Sequence, residues 1–186
     1  MSNPNAPNGF QVFRRLTGGS DTQGFEFRNI ASADTGAIGF GDPVVTVATT
    51  GNVTIGTAST VAYAGIFFGC KYLNTSVGRT VWSPNYPGSG AGGGITAYIC
   101  SDPDVLYVAQ SFNTAIASAN IGENCNVNIG TPATTAAGGY STSSIDQSLL
   151  NTTNTLPFRI FALLSTYQKG DGTDDASSYN RVILQP

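Results

Sequence analysis

Histidine is absent from the 186 residues. That removes the commonest general base near neutral pH and the commonest metal ligand. Charge is scarce as well: 10% of residues are Asp, Glu, Lys or Arg, against about a quarter in an ordinary domain. The net charge of -3 comes with no basic cluster, which argues against nucleic acid as a partner. Cysteine is limited to Cys70, Cys100 and Cys125, spaced 30 and 25 residues apart without a CxxC pair. Neither a zinc site nor a redox motif is indicated, and the odd count suggests free, buried thiols in a reducing cytosol. No apolar run approaches the ~20 residues needed to span a bilayer. The start, MSNPNAPNGF, lacks the charged and then apolar segments of a secretory signal. The expectation is a cytosolic product with no cofactor, metal, nucleic-acid or membrane partner.

What the chain has instead is uncharged polarity. It carries 22 Thr, 17 Ser and 15 Asn, with 23 Gly and 9 Pro between Val, Thr and aromatic runs. Short strands and many turns are favoured over helices. The fold class expected is all-β: a small β-barrel or β-sandwich over residues 36–186, with residues 1–35 as an extended N-terminal arm. The arm is read from short extended pieces. FQVFRRLTGG (10–19) carries Arg14 and Arg15, and GFEFRNIAS (24–32) alternates with a period of two. Ordinary edge strands of the same domain are the alternative.

From residue 41 the pattern tightens. GDPVVTVAT and VTIGTA flank the turn signal TGN, and a long apolar stretch (59–74) is broken by Gly65 and Gly69, which mark a bulge or bend. VGRTVWS (77–83) pairs back to make a hairpin. ITAYICSDPDVLYVAQ (95–110) reads as two strands around an Asp-Pro turn, and CNVNIG (125–130) alternates like a strand. Residues 113–120 suggest a short helix and SIDQSLLNT (144–152) a helical turn. LPFRIFALLSTYQ (156–168) and YNRVILQP read as the last two strands.

Catalytic constellations are weak. DGTDD (171–175) lacks the order, glycine and terminal Glu of a calcium loop and reads as a solvated turn. SDPD (101–104) reads as turn capping. Neither histidine nor a suitably placed lysine backs a Ser or Cys nucleophile, and GAGGG (90–94) lacks the Lys-Ser/Thr of a phosphate loop. A non-enzymatic role is expected. Binding by surface remains: Phe67, Phe68, Tyr72, Trp82 and Tyr86 gather within twenty residues. The expected hairpin anchors are Tyr72, Arg79 and Trp82, with Tyr86 thrown outward by PNYPG. Candidate protein-interface residues are Phe10, Phe13, Arg14, Arg15, Phe25, Phe27 and Tyr86, since aromatics with arginine anchor interfaces.

GIFFGCKYLNTSVGRTVWSPNYPG (65–88) resembles a pattern found in tailed-bacteriophage capsid decoration (cement) proteins, in which a glycine-bounded aromatic strand leads through an aromatic turn to a Pro-Gly stop. GFGDPV (39–44), ITAYICSDPDVLYVAQ, TLPFRIFALL and NRVILQP are similar to further segments of those proteins in the same order, covering residues 35 to 186. The first thirty residues do not match tightly, and Ser101 stands where the pattern carries a carboxylate. The resemblance implies a structural virion protein made in the bacterial cytoplasm. It would bind the outer capsid surface and bridge major capsid protein subunits, as a homotrimer or else a dimer. A carbohydrate-binding β-domain of a virion fibre or receptor-binding protein is the rival, with Trp82 to Tyr86 stacking on sugar.

Overall fold

The computed structural model describes residues 2–18, 24–58, 60–89, 91–130, 139–153, 155–168 and 174–186. Within them lie β1 (Gln11–Arg15), β2 (Phe25–Ile30), β3 (Pro43–Thr46), β4 (Val53–Ile55), β5 (Gly65–Asn74), β6 (Arg79–Ser83), β7 (Ile95–Cys100), β8 (Val105–Gln110), β9 (Asn124–Asn128), β10 (Ser144–Asn151), β11 (Phe158–Leu163) and β12 (Arg181–Gln185), with one helical turn, α1 (Leu164–Tyr167). The strands form two antiparallel sheets packed as a sandwich, ordered β1-β8-β12-β11-β9-β10 and β2-β7-β5-β3-β4, with β6 also on β5. The all-β fold expected from composition is what the chain adopts.

Strand β5 organises the second sheet because both of its faces are buried. Ile66 and Phe68 point into a core shared with the first sheet, where they meet Cys100, Tyr107, Phe158, Val182 and Leu184. Phe67, Cys70 and Tyr72 point the other way, into a separate core with Ile38, Val44, Val53, Tyr86 and Ile99. A strand buried on both sides needs a near-continuous apolar run, which GIFFGC supplies. A register shift between Phe67 and Gly69 in the β5–β7 ladder is the bulge anticipated at the glycines. Each large side chain buried in this way stabilises the fold by about 1.5–3 kcal/mol.

The Asp-Pro turn joins β7 to β8 as expected, and because the two strands lie in different sheets it is a crossover between layers. Two local expectations change. Segment 144–151 is strand β10, not a helical turn: Ile145 pairs with Val127 and is fully buried, and ladder pairing overrides weak local propensity. The helix expected at 113–120 shrinks to a 3-10 turn at Ser118–Asn120. The N-terminal pieces are edge strands, β1 on β8 and β2 on β7. The first is ladder-paired in one sheet and the second in the other. The leader is tied down too. The Asn3 amide donates to the Asp174 and Ser178 carbonyls at 2.7 and 3.0 Å, and the Gln110 amide donates to the Pro4 carbonyl at 3.0 Å.

Candidate functional site: an aromatic face on the second sheet

The second sheet leaves part of one face open. Phe27 of β2 pairs with Tyr98 of β7, and Tyr98 pairs with Gly69 of β5, which puts these three positions in one row. The next row along the same face is Asn29, Thr96 and Lys71, and Lys71 pairs with Trp82 of β6. Trp82 leans diagonally back over Gly69: a β-carbon placed on that glycine would stand 2.9 Å from the indole ring and 2.9 Å from the Ser83 carbonyl oxygen. Gly69 also holds φ at +136°, a conformation that side-chain-bearing residues rarely adopt. The glycine therefore seats the indole against bare backbone. Trp82 remains 56% exposed and Phe27 64% exposed, with the Phe27 and Tyr98 rings edge-to-face at 5.1 Å.

Of the expected hairpin anchors, Trp82 packs over Gly69 of the paired strand but stands exposed outside the core, Tyr72 is buried in the second core, and Arg79 is exposed at the start of β6. The sequence did contain the signal. Lys71 is charged and must face water, and a hairpin closing through residues 75–78 places Trp82 opposite it. Tyr86 is corrected. It is fully buried, its hydroxyl donates to the Asp34 carbonyl at 2.6 Å, and its backbone bridges Ile38. Phe10 is fully buried and stacks on Phe158 at 4.9 Å, so neither residue can serve an interface.

The other interface candidates divide between the sheets. Phe25 is exposed beside Phe27's row, its ring 5.5 Å from Phe68. Arg15 forms an ion pair with Asp102. Arg14 is exposed and lies 4.8 Å over the Tyr167 ring, while Phe13 meets the same ring edge-on at 5.9 Å. Phe13, Phe161 and α1 cover a small cluster on the first sheet's other face.

Chemistry elsewhere is tied up structurally. Among the described residues no group of three Cys, Asp or Glu gathers to hold a metal, and residues 171–173 of the DGTDD turn lie outside them. Asp174 caps its turn through Ser177 Oγ, which together with the Ala176 N–H holds its carboxyl below the usual range. A cleft of about 250 Å³ opens beside Tyr63, Gly65, Cys100, Tyr107 and Phe158. Two of its polar groups are engaged: Tyr107 donates to the Cys100 carbonyl at 3.2 Å, and Asp102 holds Arg15. All three cysteines are buried and unpaired, and burial pushes the Cys70 and Cys125 thiols up to about 12. At pH 8 such thiols carry about a thousandfold less thiolate than a free cysteine. A thiol reagent is expected to label no cysteine in the native protein and all three in denaturant. Rapid native labelling of Cys70 or Cys125 would contradict that burial.

Comparison with protein-family models, with curated proteins and with solved structures finds no match to this chain in any of the three.

Proposed function

We propose that the protein decorates the outer surface of a tailed-phage capsid, bridging major capsid protein subunits after expansion without performing chemistry. The supporting observation is the ordered resemblance over residues 35–186. Its segments coincide with β5 and β6, β7 and β8, β11 and β12, which include the central strands of both sheets. In this reading the capsid contact is the patch on the first sheet where Arg14 stacks on Tyr167 beside Phe13. Arginine and tyrosine are the residues that concentrate binding energy at protein interfaces. Many copies, each holding weakly, stabilise a lattice through multivalency. A homotrimer suits the local three-fold axes of such a surface, since closed cyclic symmetry matches the lattice.

The test is co-sedimentation with expanded capsids of the same virus. The protein is expected to pellet with them. Arg14→Ala combined with Tyr167→Ala is expected to weaken that association by about tenfold or more, with the melting temperature nearly unchanged because both side chains are exposed. Absence of the wild-type protein from the capsid pellet defeats the proposal.

A further inference from the structure

We infer that the open face of the second sheet is a binding site for an acidic oligosaccharide. The two rows have the two chemistries that a pyranose presents. Phe27, Tyr98 and the Trp82 indole form an apolar row, suited to the C–H face of a sugar ring. Asn29 and Thr96 lie one row along, where they offer uncharged hydrogen-bonding groups to the ring's hydroxyl edge. Trp82 is held for exposure rather than left over. Gly69 has no side chain and holds a positive φ, so the indole packs against bare backbone there while Trp82 stays largely exposed.

Charge selects among saccharides. Lys71 is the one charged side chain in these rows, it is exposed, and it stands directly across the ladder from Trp82. Among the described residues these rows hold no carboxylate, although the chain as a whole is acidic, with 11 acidic residues against 8 basic. A lone ammonium beside a stacking ring complements a sugar that carries a carboxylate, as uronic and sialic acids do. The inference does not rest on capsid docking, which is assigned to the first sheet.

The single tryptophan reports binding directly. The purified full-length chain is titrated, with fluorescence readout, against a galacturonate oligosaccharide, its neutral methyl ester and polyglutamate. Saturable binding of the galacturonate is expected, with weaker binding of the ester and none of polyglutamate. Trp82→Ala, followed by calorimetry, is expected to weaken galacturonate binding by about tenfold or more. Lys71→Met is expected to erase the preference for acid over ester while keeping the ester's affinity. Both variants are expected to melt as the wild type does and to pellet with capsids as before. Failure to bind either saccharide overturns the inference, as does binding of polyglutamate equal to that of galacturonate. Loss of capsid association in Trp82→Ala also overturns it, because the face would then be a protein contact. Each of these failures leaves the Arg14–Tyr167 test standing on its own result.

Discussion

Asp42→Ala is expected to lose about 3–5 kcal/mol of folding stability, since each buried donor left without an acceptor costs about 1–3 kcal/mol. The side chain is fully buried and, among the described residues, has no cationic partner. Its Oδ1 accepts from the Ser141 and Ser143 hydroxyls, the latter at 2.7 Å, and its Oδ2 accepts from the Gly39 N–H at 2.7 Å. The carboxylate thereby ties the loop before β3 to the segment before β10. Backbone bonds from Phe40 to Gly139 and from Ser141 to Phe40 run alongside, but they cannot satisfy the side-chain donors. A domain stabilised by about 5–15 kcal/mol in all has little margin for such a loss.

The same residue carries an unusual pH signature. Burial raises its proton affinity, and the serine and Gly39 hydrogen bonds offset this only in part, so its carboxyl sits above the usual range. Between the unfolded value near 3.8 and the higher folded one, the native state holds more protons than the unfolded state. Stability from this site is therefore full below that unfolded value and falls as pH rises through the folded one. Asp42→Asn removes the titration while keeping an acceptor. Urea melts of the two proteins from pH 3 upward should show the wild type's advantage over Asp42→Asn greatest at the acid end and shrinking toward neutrality. An advantage that grows with pH would mean that the hydrogen bonds outweigh burial.

Local pattern carried most of the fold. Strands β2 to β9, β11 and β12 were legible because alternation, β-branched runs and bounding glycines are properties of adjacent residues. The errors arose where distant segments decide. Whether Tyr86 points out or in depends on Ile38, whose backbone N–H and C=O exchange bonds with it at 3.0 and 2.8 Å from 48 residues away. No feature of PNYPG encodes that bridge. SIDQSLLN looked helical until β9 supplied a ladder. The aromatic face was half legible: its aromatics stood out, but its composition depends on the register of β2, β7 and β5, which are far apart in sequence. Asp42 gave no signal beyond a turn, because its serine partners lie about a hundred residues on.

Phe10→Ala is expected to cost about 3–5 kcal/mol, the usual loss for a phenylalanine deleted from a packed core. The two readings of this residue differ in what they predict. As an interface anchor, its truncation would leave the melting temperature alone and weaken association. As a core residue, it should do the reverse. Its ring stacks at 27° on Phe158, and Tyr63 stacks on the far side of the same cluster, 5.8 Å from Phe158. Truncation opens a void between the two sheets that these rings cannot close without giving up their own contacts. The backbone N–H of Phe10 is also fixed to the Gly41 carbonyl at 2.9 Å, one residue before Asp42. Loss of the ring therefore loosens the loop that Asp42 anchors. Because the two sites share that loop, the double variant with Asp42→Asn should lose less than the sum of the two single losses, by about 0.5 kcal/mol or more. Chemical denaturation of the four proteins measures this directly. Strict additivity would show that the first strand's entry and the Asp42 junction act independently, and an unchanged melting temperature in Phe10→Ala would return the residue to the surface.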